Sequence, residues 1–433
     1  MKENETKGMT RRTSLKALGS GLALGLTAAN YRAQAGESPN EKLRFAAIGV
    51  GGMGTGRLNQ FMQLGAEAAA ICDVDDNHLR KALDNAEKRQ GTRPKGFHDF
   101  REVLQLDGID FVTVTTPDHW HAPIFIAACK AGKDVFVEKP LCHNIGDGRA
   151  MVEAAAKYQR ITQMGNHIHN DNDTYRRAVE MVQSGRLGKI DRIHCWKTAR
   201  TNSLGNPSDG EAPKELDYNF WQGPAPKRPY NPNRSHFNFR YFWDYSGGML
   251  MDFWCHITDV AYWAMNLEAP LTVSAVGELP ELGDNAETPE RMELVYEYPG
   301  LILNWTIHPA GLAGFPGGIG CVFQGTDATM VTDYDSNVIY VKGRIDEKFP
   351  RPEPTIPNSP GHLQEFLNAI KTREKTTCNV EYAFKLTKGG LLGNISYRTG
   401  EKLIWDDKRE RVTNSSKANR LVKRRPRSPW KLA

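Results

Sequence analysis

The 433-residue sequence predicts an α/β protein of two domains. Residues 42–165 are predicted to form a doubly wound parallel sheet. Residues 166–407 are predicted to form an α+β domain with a large, mainly antiparallel open sheet. Two observations carry this prediction: short apolar runs alternate with helical segments at first, and later extended segments follow one another through tight turns.

The first domain is predicted from an alternation of strands and helices. Its strands are expected at LRFAAIGVG, AEAAAICDV, IDFVTVTTP, DVFVEKP and ITQMGNH. Helices are expected over residues 55–64, 77–89 and 147–158, and in the segment APIFIAACKAGK. Because the carboxyl ends of parallel strands meet at one edge of the sheet, a ligand site is expected there.

The second domain contains a long loop over residues 202–248, rich in proline, glycine, aromatic residues and arginine; such loops are usually functional. The sheet is predicted from LTVSAVGEL, RMELVYEY, LILNWTIHP, GCVFQGTDATMVTDY and NVIYVKG, with a hairpin turn at Pro299 and Gly300. A helix around HLQEFLNAIKTRE is expected to close this domain. Residues 408–433 are expected to form an extended basic arm that lies on the acidic body or on an acidic neighbouring subunit.

The N-terminal residues 1–35 have the pattern of an export signal. Arg11 and Arg12 precede a weakly apolar stretch that is too short to span a bilayer, and a small-residue site suited to signal peptidase follows. The pattern predicts a twin-arginine signal peptide and a periplasmic protein. The alternative is a disordered tail in which the arginines are adjacent by chance.

Charge and cysteine usage limit the class of protein. The net charge is +5, but residues 1–35 carry +4 and residues 408–433 carry +9, which leaves −8 for the body between them. An acidic body argues against nucleic-acid binding as the main function. The seven cysteines include no CxxC pair, so most are expected to be buried free thiols rather than a disulfide framework or a zinc site.

A dinucleotide site is predicted at the end of the first strand, in a Rossmann arrangement. The glycine pattern closes a strand and opens a helix, which suits a pyrophosphate, at Gly49, Gly51, Gly52, Met53 and Gly54. Asp73 ends the second strand and is expected to bind the adenosine ribose, which favours NAD over NADP. The alternative is a glycine-rich turn beside a surface aspartate. Further cofactor contacts are expected from Thr116, Pro117, His121, Glu138 and Lys139 at later strand ends.

Four histidines lie near the same strand ends. His119 and His121 are candidates for cofactor or substrate contact, but capping of the next helix is favoured. With His167 and His169 they hint at a metal site. No metal is predicted, because nothing fixes a third ligand.

The predicted helix over residues 247–265 carries a second group of functional side chains. Asp252, His256 and Asp259 share one helix face. A carboxylate that holds an imidazole would make a general base with a fixed tautomer and a raised pKa. The alternative is a buried histidine satisfied by its neighbour, without chemistry.

Together, the glycine-rich turn, the strand-end EKP and the later GG…DxxxHxxD helix resemble the Gfo/Idh/MocA family over residues 42–407. The segments FWQGPAP, WDYSGG and SPWKL are similar to those of its twin-arginine-exported members. The resemblance implies that Lys139 touches the reacting hydroxyl and that Asp252 and His256 form the acid–base dyad. Many members have glycine two residues before the histidine, where this chain has Trp254, so substrate choice transfers poorly.

The function that follows is an NAD-dependent oxidation of a CH–OH group in a sugar, sugar derivative or cyclitol, with Lys139 orienting the alcohol and His256 taking its proton. Export would remove the protein from cytoplasmic NAD, so a tightly bound cofactor is expected. One alternative is a redox-neutral NAD-requiring glycoside hydrolase, lyase or epimerase that acts through a keto-sugar. Another is a nicotinamide-bound binding protein without turnover.

A carbohydrate substrate is suggested by the aromatic residues and arginines of the loop over residues 202–248. The candidate substrate-binding residues are Tyr175, Trp221, Arg234, Arg240 and Asp259. The alternative for the loop residues is that they pack the loop or form a subunit contact. A homo-oligomer, dimer or tetramer, is expected because a large open sheet usually covers one face with a partner.

Overall fold

A computed structural model describes residues 42–279, 281–315 and 317–430. The predicted signal peptide, residues 1–35, lies outside these residues. The predicted boundaries between the domains stay a prediction, whereas the predicted fold class is confirmed: a parallel sheet in the N-terminal part is followed by a larger, mostly antiparallel sheet.

The first sheet has six parallel strands in the order β3-β2-β1-β4-β5-β6. Its strands are β1 (Arg44–Ile48), β2 (Glu67–Cys72), β3 (Lys95–Phe97), β4 (Phe111–Val114), β5 (Asp134–Val137) and β6 (Thr162–Met164). The helices between them are α1 (Gly52–Gln63), α2 (Asp76–Gln90), α3 (Phe100–Val103), α4 (His121–Lys130) and α5 (Ile145–Tyr158). Strand order reverses at β1, so the carboxyl ends of β1 and β4 form the crevice where such sheets bind ligands.

The second sheet has ten strands in the order β14-β13-β12-β11-β7-β10-β9-β8-β15-β16. They are β7 (Ile190–Thr198), β8 (Thr272–Glu278), β9 (Arg291–Tyr298), β10 (Leu301–His308), β11 (Ile319–Gly325), β12 (Thr329–Thr332), β13 (Asn337–Val341), β14 (Arg344–Ile345), β15 (Leu403–Asp406) and β16 (Arg411–Val412). The β7–β10 pair is parallel and the other described pairs are antiparallel. The predicted hairpin turn joins β9 to β10, and Gly300 supplies its positive φ of 70°.

The C-terminal part of the chain also contains helices, most of which follow or flank the strands of this sheet in sequence. They are α6 (Ile168–Asp171), α7 (Asp173–Gln183), α8 (Tyr218–Gln222), α9 (Gly248–Met265), α10 (His362–Thr372), α11 (Val380–Thr399) and α12 (Ser416–Val422). Helix α9 packs against α7 and α11, and all three lie in the main hydrophobic core. None of the described helices is both long enough and apolar enough to cross a bilayer.

Helix α10 was expected to close the second domain. It covers the first sheet instead. Phe366 is fully buried, and its ring centroid lies 6.2 Å from that of Phe61, 5.4 Å from Phe111 and 5.8 Å from Phe136. Its hydrophobic face therefore completes the core on one side of the parallel sheet, which α1 leaves only partly covered.

The C-terminal arm is partly folded rather than extended. It contributes β16 and α12. It then runs along the N-terminal domain and the loop over residues 202–248, the aromatic loop. Arg424 Nε lies 3.2 Å from Asp147 Oδ2, and the Trp430 ring packs edge-on against Trp120 at 4.9 Å between centroids. The arm thus lies on the body of its own chain, one of the two placements expected for it.

All seven cysteines are buried free thiols, as the sequence predicts. Five lie in strands or helices, and Cys142 and Cys378 lie in buried connecting segments. Burial raises the pKa of Cys129 and Cys255 to about 12. Such thiols are protonated and unreactive near neutral pH.

Candidate active site

The glycine-rich turn between β1 and α1 can be built only with glycine at its closest points. Gly49 has a φ of 81°, and a Cβ on Gly54 would lie 2.0 Å from the Gly49 carbonyl oxygen. Gly52, by contrast, faces open space. Helix α1 has neither a side-chain cap nor an acidic residue in its first turn, so its positive end is available to an anion. These features fit a dinucleotide pyrophosphate.

Asp73 lies at the end of β2, where an adenosine ribose would be held. Its Oδ2 accepts a hydrogen bond from Val50 N at 2.8 Å, and its Oδ1 accepts one from Asp75 N at 3.0 Å. Burial raises the pKa of Asp73, whereas these two backbone bonds act in the opposite direction. The carboxylate is therefore fixed against the glycine turn at the predicted position.

One cavity of about 360 Å³ joins the glycine turn, Asp73 and the end of β5. Of the predicted cofactor and substrate residues, those that line it are Gly49, Gly51, Gly52, Met53, Gly54, Asp73, Thr116, Pro117, Glu138, Lys139, Trp221, Arg240 and Asp252. A crevice of this kind at the strand ends fits NAD, with the adenosine near Asp73 and the nicotinamide near Lys139.

The aromatic loop covers the adenosine end of this cavity. His236 Nε2 and Asp75 Oδ2 are 3.1 Å apart, and the exposed Phe237 follows directly in the cavity wall. Backbone bonds from Asp217 N to Val74 O (2.9 Å) and from Asp76 N to Glu215 O (2.9 Å) fasten the same loop to the strand-end segment. The loop is thus anchored at several points across the entrance.

Lys139 and Asp252 meet at the opposite end of the cavity. Lys139 Nζ donates to Asp252 Oδ1 at 2.7 Å and to the Asp252 carbonyl oxygen at 2.8 Å. Arg240 Nε lies 3.3 Å from Asp252 Oδ2. The Lys139–Pro140 peptide bond is cis. One carboxylate on α9 therefore joins a cation from the first sheet to a cation from the aromatic loop.

These contacts determine the charge of the Lys139–Asp252 pair. Burial alone would raise the pKa of Asp252, but Lys139 and Arg240 lower it to about 2. Burial alone would lower the pKa of Lys139, but Asp252 more than offsets this and raises it. Both groups are therefore charged at neutral pH.

His256 is close to this pair but is not held by Asp252. Its Nδ1 is buried without a hydrogen-bond partner among the described residues, and its ring centroid lies 5.7 Å from that of His167. The expectation of a raised imidazole pKa is wrong. Burial, then Lys139 and His167, lower the pKa of His256 well below its usual range, and the opposing effect of Asp252 is too small to reverse this. The imidazole is neutral at pH 7.

His119 and His121 neither line the cavity nor cap α4. His121 is 1% exposed and spans two backbone carbonyls, with Nε2 2.9 Å from Thr116 O and Nδ1 2.8 Å from Pro140 O. His119 Nε2 lies 3.0 Å from Trp221 O. His121 therefore holds the loops after β4 and β5 together, rather than contacting a cofactor directly as expected.

Three of the predicted substrate residues also lie away from the cavity. Arg234 binds Asp209 at 2.8 Å within the aromatic loop. The Tyr175 ring is buried, and its hydroxyl has no partner among the described residues. Asp259 is fully buried, where it accepts from Tyr382 at 2.6 Å and faces His169 at 3.0 Å. Spacing on a helix face could not show that Asp259, about two turns after Asp252, is enclosed in the core.

The four histidines suspected of metal binding are dispersed among other contacts. His119, His121 and His169 each have a ring nitrogen within hydrogen-bond reach of a carbonyl or carboxylate. A different group has suitable donor atoms within 4.8 Å of one another, at Asp75, His78 and His236. There the Asp75–His236 contact already serves to fasten the aromatic loop.

Sequence reasoning missed several residues of the site. Arg57 on α1 donates to Glu138 Oε1 at 2.6 Å, with both side chains buried, and so fixes the EKP segment below the cavity. Ser246 Oγ donates to Asp118 Oδ2 at 2.5 Å and ties the start of α9 to the loop after β4. Each partner is over 80 residues away in sequence, so no local pattern could have paired them.

Comparison with known proteins agrees with this geometry. Residues 43–166 match the family described as "Oxidoreductase family, NAD-binding Rossmann fold", and residues 194–432 match "Oxidoreductase family, C-terminal alpha/beta domain". The chain belongs to the Gfo/Idh/MocA oxidoreductase family. The predicted family and the predicted NAD-binding Rossmann domain are both confirmed.

Curated relatives match part of the chain. A "Glycosyl hydrolase family 109 protein" of Shewanella baltica is 30% identical over 203 residues, which are 42% of this chain and 44% of that protein. An "Alpha-N-acetylgalactosaminidase" of Shewanella oneidensis is 30% identical over 155 residues, 35% and 34% of the two chains. The chain thus spans less than half the length of the curated relatives it matches.

Solved structures share the fold over most of the chain. The WlbA dehydrogenase of Bordetella pertussis, in complex with NADH and UDP-GlcNAcA, superposes with a TM-score of 0.63 at 18% identity. The match covers 84% of this chain and 99% of that one. Both sheets of the Gfo/Idh/MocA arrangement are therefore present here.

Proposed function

We propose that this oxidoreductase uses tightly bound NAD to oxidise a CH–OH group of a sugar, sugar derivative or cyclitol. The observation that carries the proposal is the Lys139–Asp252 ion pair of 2.7 Å in the same cavity as the glycine turn and Asp73. A dinucleotide that spans this cavity would bring its nicotinamide to the ion pair. When bound, a nicotinamide accepts hydride from a carbinol carbon.

The chain's own groups then have distinct tasks. The Lys139 ammonium would orient the substrate hydroxyl and stabilise negative charge that develops on its oxygen. The neutral imidazole of His256 would accept the hydroxyl proton. Asp252 would keep Lys139 charged and in place. It would not serve as the base, because its low pKa makes it a poor proton acceptor.

A carbohydrate substrate is supported by the side chains that the aromatic loop contributes to the cavity wall. Phe237, Phe239 and Trp221 line the wall with apolar faces, and Arg240 adds hydrogen-bond donors. The guanidinium of Arg240 lies over both phenylalanine rings, at 4.2 and 5.0 Å. Mixed apolar and cationic surfaces of this kind suit the C–H faces and hydroxyls of a sugar ring.

Tight cofactor binding is supported by the anchored aromatic loop, because the dinucleotide could leave only after the loop opens. The test is to dialyse the purified protein, extract it, and measure nicotinamide by mass spectrometry, together with activity. Retained cofactor and retained activity are expected. Protein that lacks nicotinamide after purification yet turns over unchanged after dialysis would contradict the proposal.

The catalytic assignment is tested with Lys139→Met. Turnover should fall by about a hundredfold or more, because a cation at the developing charge is lost. Cofactor content should stay close to that of the parent protein. Lys157→Met, at a partly exposed lysine of α5, is the matched control. An unchanged rate in Lys139→Met would remove the central assignment.

A second candidate function is glycoside cleavage without net reduction of NAD, which the names of the curated relatives favour. Incubation with an aryl N-acetylgalactosaminide separates the two. Release of the phenol without net NADH supports cleavage, whereas NADH that accumulates with an unmodified sugar supports simple oxidation.

We further propose that residues 1–35 direct export to the periplasm by the twin-arginine route. The support is the order of Arg11 and Arg12, the short apolar stretch and the small-residue site. Fractionation of cells that express the full chain, compared with an Arg11→Lys and Arg12→Lys double variant, tests this. Periplasmic protein is expected for the parent and cytoplasmic precursor for the variant; equal distribution would contradict export.

We also propose a homo-oligomer formed through the open face of the ten-stranded sheet. Exposed apolar side chains on that sheet support it, with Val276 68%, Val295 39% and Ile302 37% exposed. Light scattering after gel filtration should give a multiple of the chain mass, and Val295→Asp should lower it. A monomeric parent protein would refute the proposal.

A further inference from the structure

A second cavity, of about 170 Å³, lies where the aromatic loop enters α9. Ser246 lines both this cavity and the larger one, so the two sites share a wall. The remaining lining comes from the aromatic loop, from the residues that precede α5, from α11, and from α12 and the segment that follows it. None of these elements supplies a proposed catalytic group to it.

The lining is strongly cationic. Four arginines and one carboxylate line the cavity. The carboxylate, Asp244, accepts from Arg228 at 2.7 Å, and one of the arginines, Arg424, pairs with Asp147 at 3.2 Å. Over the described ranges, no ion pair involves Arg398, Arg420 or Arg425. The cavity therefore holds an excess of positive charge that the surrounding residues do not neutralise.

Two helix N-termini also open into it. Gly247, the N-cap of the 18-residue helix α9, lines the cavity, and this helix has neither a side-chain cap nor an acidic residue in its first turn. Asn144, the N-cap of α5, also lines the cavity, but its side chain caps that helix and Asp147 lies in the first turn. The uncapped positive end of α9 therefore adds to the charge of the arginines.

Buried polar atoms without partners line the same space. The Asn144 side chain is 6% exposed; its Oδ1 accepts from Asp147 N at 3.0 Å, which leaves Nδ2 as a free donor. Arg424 Nη1 is likewise buried without a hydrogen-bond partner in the described structure. Buried donors without protein partners are rare in folded proteins and are usually satisfied by water, an ion or a ligand.

One free acceptor accompanies these donors. Asn394 is 5% exposed, and its Nδ2 donates to Gly247 O at 2.8 Å, so its Oδ1 is the atom left without a partner. A fully ionised sulfate has no proton to offer this oxygen. A phosphate group that keeps one proton, or carries a neighbouring hydroxyl, satisfies both kinds of atom.

We propose that this cavity is a binding site for a phosphate group, either as free phosphate or as a small phosphate monoester. The arginines and the N-terminus of α9 supply the charge, Asn144 and Arg424 supply donors, and Asn394 supplies the acceptor. The site is separate from the oxidation site but adjoins it through Ser246.

Isothermal titration of the NAD-loaded protein tests the proposal, with inorganic phosphate, inorganic sulfate and a hexose 6-phosphate as probes at constant ionic strength. Saturable binding of phosphate, tighter than that of sulfate, is expected. Tighter binding of the hexose 6-phosphate identifies a monoester as the ligand, and equal binding identifies free phosphate; both support a phosphate site.

Asn144→Asp is the decisive variant, because the carboxylate keeps the acceptor that caps α5 but removes the donor and adds negative charge. It should bind phosphate at least about tenfold more weakly, as expected for loss of a charge-assisted hydrogen bond. Arg398→Gln with Arg425→Gln should weaken binding similarly without a change in fold. Arg411→Gln, an exposed arginine outside the cavity, is the control. No saturable binding to the parent protein, or unchanged affinity in Asn144→Asp, overturns the proposal.

Discussion

Replacement of Asp252 by asparagine tests the network that joins the two halves of the site. The carboxylate is paired with Lys139 at 2.7 Å and Arg240 at 3.3 Å, and its side chain is 21% exposed. Asparagine keeps the shape but removes the charge. The variant should lose stability at neutral pH, because two partly buried cations lose their counterion.

The size of the effect follows from the pKa of Asp252. A fall from the ordinary value of 3.8 to about 2 corresponds to about 2 kcal/mol of stabilisation of the folded state. Since the folded-state pKa lies below the unfolded one, this contribution is complete above about pH 5 and is lost as the pH falls through about 2. By pH 3 about half of it, roughly 1 kcal/mol, should be gone.

The assay is urea unfolding of the parent and Asp252→Asn proteins at several pH values between 7 and 3. The difference in unfolding free energy between them should be constant down to about pH 5 and then shrink by roughly 1 kcal/mol at pH 3. Asp191→Asn, at an exposed carboxylate of β7, should show no such trend. A difference between parent and Asp252→Asn that is independent of pH would show that the two cations do not hold this carboxylate.

Three further variants test other parts of the structure. Gly54→Ala should cost about 1–3 kcal/mol of stability and weaken NAD binding, because its Cβ would clash with Gly49 O at 2.0 Å. Gly56→Ala, in open space on the same helix, should change neither stability nor NAD binding. Urea unfolding and NAD titration measure the two effects. Phe366→Ala should cost about 3–5 kcal/mol in urea unfolding because α10 completes the core of the first sheet; an effect below 1 kcal/mol would contradict that packing. His236→Ala should speed NAD loss about tenfold in a chase experiment, because the contact with Asp75 that fastens the loop is removed.

Local patterns were enough to predict the cofactor end of the site. The glycine turn and Asp73 lie within 25 residues of each other, and each depends on a strand end next to a helix start. The position of Lys139 is equally local, because β5 ends directly before the EKP segment. Parallel strand ends share one edge, so their convergence follows from the fold class alone.

Contacts between distant elements could not be predicted in this way. Strand β7 escaped notice because charged residues such as Asp191 and Lys197 interrupt its apolar pattern, although it is central in the second sheet. Helix α11 was hidden by its glycines, which ordinarily break helices. In the fold they make room: a Cβ on Gly389 would lie 2.6 Å from the Trp254 ring. Trp254 therefore fills the space that these glycines leave.

The error in the pKa of His256 points to how the site works. Pairwise reasoning gave the imidazole one carboxylate neighbour, but it is Lys139 that donates a hydrogen bond to that carboxylate, at 2.7 Å. Asp252, with a pKa of about 2, is too weak a base to accept a hydroxyl proton at neutral pH. His256 is neutral and has an unpartnered nitrogen, and its pKa is held down by burial and by the positive charge of Lys139. Negative charge on a substrate oxygen beside Lys139 would offset that positive charge, so the basicity of His256 would rise as the hydroxyl loses its proton. In the proposed reaction, the cation that activates the alcohol would thus also control the strength of the base.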